Sequence, residues 1–174
     1  VFVVESVFDK FMLAMEKAGA YRIDELNLNL LAKKAFIPDE KGGHVLNREI
    51  VGKGASHLGD LVKINVPEGT RMLFGETNKD NLFVMEEQMT SFMPVVRVKN
   101  FKEGLEASLV AERGYGHTAI IHSKDMDRIT EFASVMKTTI VVANGMSTQG
   151  DGPDDGEAYL AFTIATPTGE GDRK

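Results

Sequence analysis

One stretch, residues 114–145, constrains this chain more than any other. It opens Gly-Tyr-Gly-His-Thr-Ala-Ile-Ile-His-Ser, in which Thr118, Ala119, Ile120 and Ile121 form a short apolar run ending in polar residues. A helical stretch follows. Met126, Ile129, Phe132, Ala133 and Met136 recur at spacings of three and four, so they share one face of a helix. Ser123 stands where an N-cap is needed, because its hydroxyl can accept a hydrogen bond from a free amide of the first turn. Thr139, Ile140, Val141 and Val142 are β-branched without interruption, which predicts a strand covered on both faces. Strand, helix and strand within about 30 residues make a βαβ unit, whose crossover is right-handed in nearly all parallel sheets.

The rest of the chain adds strands and helices around that unit. Val1, Phe2, Val3 and Val4 read as a buried strand. Ser6, with Asp9 three residues on, reads as the cap of a helix that buries Val7, Phe11, Met15 and Ala18 and ends at Gly19. Asp24 caps a second helix carrying Leu26, Leu30, Leu31, Ala35 and Phe36, stopped by Pro38. Residues 39–43 are turn-rich, residues 47–54 irregular, and residues 56–61 a short helix. Val62, Ile64 and Val66 alternate as in a strand, before Pro67 and Gly69 turn the chain. Strands are expected over residues 71–74 and 93–98, the latter with Pro94 near its start. Asn100 and Glu103 form a capping pair for a helix burying Phe101, Leu105 and Leu109. Residues 160–166 form a last apolar segment, followed by a tail. The alternation of strands and helices predicts an α/β fold, a three-layer domain with a mostly parallel sheet.

Composition excludes several functions. The formal net charge is −6, which argues against a nucleic-acid binder, since such proteins usually present a basic surface. There is no cysteine, and hence no disulfide, no thiolate metal site and no cysteine nucleophile among these 174 residues. No apolar run approaches the roughly 18 residues that span a bilayer. The chain starts at Val1 rather than a methionine, so it is expected to begin inside a longer gene.

Few residues suggest chemistry. His117 and His122 flank the first strand of the βαβ unit, five residues apart, and alternation puts them on opposite faces. They cannot share one metal ion. Either could serve in a site at a strand end, or simply be a hydrogen-bonded polar residue there. His57 reads as a surface residue. Asp151, Asp154, Asp155 and Glu157 lack the spacing of a calcium loop, and the glycines at 150, 152 and 156 lack the Lys-Ser or Lys-Thr of a phosphate loop. No metal site is expected. Glu86 and Glu87 are adjacent and point different ways, so they do not form an acid–base pair.

Four segments together resemble one family. They are Val-Phe-Val-Val-Glu-Ser-Val from Val1, Met-Pro-Val-Val-Arg-Val from Met93, the pair His-Thr-Ala-Ile-Ile-His-Ser from His117 and Thr-Thr-Ile-Val-Val-Ala-Asn-Gly from Thr138, and Phe-Thr-Ile-Ala-Thr-Pro-Thr-Gly-Glu-Gly from Phe162. In this order and spacing the chain resembles the catalytic domain of CoA-acylating aldehyde dehydrogenases, the propionaldehyde and acetaldehyde dehydrogenases of bacterial microcompartments. The resemblance implies one catalytic-domain-like unit over residues 1–174, with the nucleotide-binding domain absent. In the family a cysteine attacks the aldehyde, hydride leaves to NAD on a separate Rossmann domain, and CoA releases the acyl thioester. Glu87 matches the family glutamate that contacts the nicotinamide ribose, and His117 matches the histidine of the His-Thr-Ala phrase near the active site.

The departures carry further expectations. The family cysteine falls a few residues before Val1, and the oligomerisation hairpin is also missing. Between Glu87 and Met93 a proline of the family is replaced by Gln-Met-Thr-Ser-Phe, and the apolar loop after Gly145 becomes polar and acidic. The chain therefore reads as an excised, engineered catalytic-domain fragment. It is expected to be inactive alone, to bind no NAD or CoA by itself, to be a monomer where its parents are homo-oligomers, and to be cytoplasmic. Thr90, Ser91 and residues 146–157 are expected on one solubilised face. Two other readings stay open. One is a stand-alone α/β scaffold or binding module built on that fold. The other is a subunit completed by a second chain that supplies the cysteine and the NAD site.

Overall fold

A computed structural model of the chain describes residues 1–40 and 42–147. The chain divides into two compact units, Val1–Ala107 and Ser108–Lys174. The acidic, glycine-rich run beyond residue 147 and the apolar segment at 160–166 lie outside the described residues, as does most of the proposed polar face.

The first unit is built on a four-stranded parallel sheet. Its strands are β1 (Phe2–Val4), β2 (Ala20–Arg22), β5 (Met72–Thr77) and β6 (Phe92–Val98), in the order β1-β6-β5-β2. Helices cover both faces, because neighbouring residues of a strand point to opposite sides. Phe74 and Val95 pack with Val3 against Phe8 and Met12 of α1 (Glu5–Lys17). Leu73 and Phe92 pack on the other face against α2 (Glu25–Ala35) and α3 (Ala55–Val62). The three layers expected for an α/β domain are present here.

Several local expectations shift by a residue or more. Ser6 is not a cap. Strand β1 runs straight into α1, whose N-cap is Val4 with no side-chain hydrogen bond. That junction sets the helical phase, so Phe8 and Met12 are buried rather than Val7, which is 46% exposed. Asp24 does cap α2, its carboxylate accepting from the Asn27 amide at 2.8 Å. The buried stripe there is Leu28, Leu31, Ala32 and Ala35, while Leu26 and Leu30 are exposed. The helix stops at Ala35. Phe36–Pro38 becomes β3, paired antiparallel with β4 (His44–Leu46).

Val62, Ile64 and Val66 do not form a strand. Val62 ends α3, Lys63 caps it in the left-handed conformation, and Ile64 and Val66 pack onto the α2–α3 core from irregular backbone. Their alternation reflects burial of a loop, not pleating. A 3-10 turn, Arg48–Ile50, with Asn47 as its cap, orders the stretch read as irregular. The short helix α4 (Leu82–Met85) follows β5 and is capped by Asn81.

Pro94 sits in β6, a strand with neighbours on both sides. Proline is normally excluded there because it donates no ladder bond. Here the Val96 amide donates to the Val1 carbonyl at 2.8 Å, and Pro94, two residues earlier, lies near the start of β6. Its carbonyl instead accepts from the Val1 amino group at 2.8 Å. Burial pushes that amino group down from 8.0 to about 6.

A pH dependence follows. Between about 6 and 8 the unfolded chain binds a proton at Val1 that the folded chain does not, so stability rises with pH through this window. The slope is largest between those two values and flattens on either side, and the solvent that reaches Val1, 49% exposed, keeps it below that of a fully enclosed amine. Urea midpoints measured from pH 5.5 to 8.5 should show this slope. A chain extended by a few residues before Val1, with an amide in that place, should not.

The second unit contains the βαβ unit foreseen from sequence. It comprises β7 (Thr118–Ile121), α6 (Met126–Val135) and β8 (Ile140–Ala143), with β7 and β8 directly paired in parallel. The cap of α6 is Asp125, not Ser123. The Asp125 carboxylate accepts from the Asp127 and Arg128 amides, and the Ser123 hydroxyl accepts one step earlier, from the Asp125 amide. Phe132 and Met136 are buried, whereas Met126 and Ala133 are exposed. Double coverage of the last strand is not found: Ile140 and Val142 are buried, but Val141 and Ala143 are exposed.

Helix α5 (Phe101–Glu112) carries the chain from the first unit into the second. Asn100 and Glu103 cap it as expected, Asn100 accepting from the Glu103 amide and Glu103 from the Lys99 amide. Leu105 is buried, but Leu109 is 41% exposed, contrary to expectation.

Candidate active site

In the second unit the candidate site is the loop between α5 and β7. Arg113, Gly114 and Gly116 all take positive φ, so the chain doubles back immediately after the helix. The carboxylate of Glu112, the last helical residue, reaches forward and accepts from the amides of both Gly114 and Gly116. The Glu112 carbonyl accepts from the Tyr115 amide at 3.0 Å. His117 comes next and is half-buried. Its Nδ1 and the Thr118 Oγ1 lie 2.6 Å apart.

Strand β8 pins the exit of this loop. The Gly116 carbonyl accepts from both the amide and the hydroxyl of Thr139, and the His117 carbonyl accepts from the Ile140 amide. At the other end, Asn144 holds the two strands together. Its side chain accepts from the Ser123 amide and donates to the Ser123 carbonyl, each at 2.9 Å. Asn144 adopts φ 58°, a conformation that asparagine tolerates better than most residues. His122 is exposed just beyond β7 and takes no part in this arrangement. His57 is likewise exposed, on α3.

Glu87 belongs to the first unit, in the connection between α4 and β6, and is exposed. The connection around it is ordered by Gln88, which donates to the Phe83 carbonyl at 2.9 Å and accepts from the Thr90 hydroxyl at 3.1 Å. Ser91 is half-buried, and its backbone bonds to Leu73 and Lys53. Thr90 and Ser91 thus brace the start of β6.

Sequence reasoning missed two features. One is Glu112, since a glutamate at a helix C-terminus carries no motif. The other is a charged cluster toward the C-terminal ends of the parallel strands. There Arg97 bonds to Glu76 at 3.0 Å and Asp9 at 3.3 Å, and its guanidinium lies 3.7 Å from the centroid of the Phe8 ring. An open depression nearby is lined by Glu16, Arg22, Asp24, Glu25 and Glu76. No group of acidic, histidine or cysteine side chains among the described residues could hold a metal ion. No helix among the described residues is long and apolar enough to cross a membrane.

No family model matches the chain. Whole proteins do. The acetaldehyde dehydrogenase (acetylating) EutE of Salmonella typhimurium is 37% identical over 174 residues, which is 97% of this chain and 36% of EutE. Among solved structures, a propionaldehyde dehydrogenase from the Clostridium phytofermentans fucose utilisation bacterial microcompartment is 35% identical, with a TM-score of 0.86 over 98% of this chain and 38% of its own. Variants of that enzyme with a histidine or a cysteine changed to alanine match comparably. The Rhodopseudomonas palustris propionaldehyde dehydrogenase with bound propionyl-CoA is 36% identical, with a TM-score of 0.84 over 98% of this chain and 37% of its own. The chain spans a little over a third of the length of these relatives, and with this identity over almost its full extent it belongs to the acylating aldehyde dehydrogenase family.

Proposed function

We propose that this chain is the catalytic-domain portion of an NAD-dependent CoA-acylating aldehyde dehydrogenase, converting an aldehyde, CoA and NAD to acyl-CoA and NADH. The observation that carries the reading is His117. It is half-buried at the head of β7, on a loop held from both sides, in a chain whose relatives include an enzyme with a structurally solved histidine-to-alanine variant. We take His117 as the counterpart of that histidine and assign the cysteine to a position just ahead of Val1, a reading that the spacing of the two variants supports. In a longer chain the nucleophile would then enter β1 beside the start of β6, where the Val1 amino group meets the Pro94 carbonyl.

NAD accepts the hydride when bound. On this chain we assign that contact to Glu87. Its carboxylate stands on an exposed connection held by Gln88, and a carboxylate suits the paired hydroxyls of a ribose. We assign His117 to the acyl side, as a half-buried imidazole whose Nδ1 meets the Thr118 hydroxyl.

The 174-residue chain alone lacks a thiol for the covalent step. Incubated with propionaldehyde, CoA and NAD, it should form NADH no faster than a protein-free control. Placed in a relative such as EutE in exchange for the matching segment, it should support NADH formation, and His117→Ala should abolish most of it. A folded exchange protein with no activity, or activity indifferent to His117, would refute the reading.

A further inference from the structure

Glu112 spends both oxygens of its carboxylate on a single turn, the one that delivers His117. It ends α5, and the next four residues include three at positive φ: Arg113 at 54°, Gly114 at 77° and Gly116 at 69°. Such a turn points successive amides inward, as in the backbone concavities that bind anions. Here the anion is the chain's own. One oxygen accepts from Gly114 and the other from Gly116, the residue before His117. On the far side Thr139 and Ile140 of the β8 segment hold the carbonyls of Gly116 and His117. The backbone at His117 is therefore fixed from two directions, by the β8 ladder and by the Glu112 carboxylate. The imidazole is then tied to Thr118 through Nδ1.

We propose that Glu112 is a positioning residue for His117, acting through the amides of Gly114 and Gly116. This rests on the assignment of His117 to the active site. The chemistry requires a carboxylate. Glutamine has nearly the same shape but only one acceptor oxygen, and its amino group would face an amide donor. Aspartate is one methylene shorter and cannot span both amides. A helix end that needed only a stop would accept either residue, since Arg113 and Gly114 already terminate α5.

The test has two arms. In the isolated chain, NMR follows the Gly114 and Gly116 amides and the ring resonances of His117. Glu112→Gln should shift and broaden all three, while leaving the amides of β5 and β6 in place. In the EutE exchange protein, Glu112→Gln should lower kcat by about 100-fold, the scale of a small misplacement of a catalytic group, with KM for the aldehyde within about twofold. The Glu112→Gln/His117→Ala double variant should be no slower than His117→Ala. His117 signals unmoved by Glu112→Gln, or rate losses that multiply in the double variant, would overturn the proposal. If His117→Ala leaves the exchange protein fully active, the functional assignment fails, and the NMR arm still decides whether Glu112 sets the ring. Should Glu112→Gln fail to fold, the unaltered chain suffices. Its Gly116 amide should exchange with solvent at least about tenfold more slowly than in an unstructured peptide, as a bonded amide does. Exchange at the peptide rate would refute the proposal.

Discussion

Phe74→Ala should lower the unfolding free energy by about 3–5 kcal/mol, enough to leave a marginal domain largely unfolded at 37 °C. Phe74 is fully buried in β5 and packs with Phe8 and Met12 of α1 and with Val95 of the neighbouring strand. Removing the ring takes apolar surface from the contact that holds α1 to the sheet. The cavity left behind cannot close easily. Its walls are two strands of a continuous ladder and a helix joined to β1 without a loop. Urea denaturation should show the midpoint falling with little change in slope. Phe74→Leu keeps much of the volume and should recover more than half of the loss. A loss below about 1 kcal/mol for Phe74→Ala would mean that this face is not a packed core.

Gly75→Ala, one residue on, should cost about 1–3 kcal/mol for the opposite reason. A Cβ at this position would stand 2.9 Å from the Ile23 carbonyl oxygen and 3.1 Å from Leu28 Cδ1. The leucine can turn aside. The carbonyl belongs to backbone just past β2, which the Ile23 amide ties to the Phe74 carbonyl at 2.9 Å. Relieving the contact would mean parting β2 from β5 at their C-terminal ends. Gly104→Ala supplies the control, since the nearest atom there is a single methyl of Val98, at 3.3 Å. On α5 the added methyl should be neutral or stabilising, alanine being the better helix former. Thermal or urea midpoints of the two variants should therefore diverge. If Gly75→Ala is as mild as Gly104→Ala, the close approach of Ile23 to β5 is wrong.

Some of this architecture is written in local chemistry. The cap at Asp24, the capping pair Asn100 and Glu103, and the stop at Gly19 each depend on residues within a few positions of one another, and the elements of the βαβ unit at 114–145 show in the helical period and the β-branched run of their own segments. Periodicity and capping report such things because they arise from the backbone's own geometry and from side chains that bond to it nearby. His117 and Glu87 are candidates through the resemblance to a family rather than through any local pattern.

Other features were decided only by what meets across the fold. The stripe of α1 fell on Phe8 and Met12 because β1 enters the helix with no intervening loop, and the sheet sets which side faces inward. Strand β2 is three residues long, too short to show a period, and exists because β5 offers it a partner. Ile64 and Val66 alternate like a strand, yet they find no ladder and pack as loop residues. Glu112 looks like any glutamate at the end of a helix. Only the left-handed turn at Arg113 and Gly114 brings two amides to its carboxylate, and the end of that loop is bonded by Thr139, more than twenty residues farther along the chain.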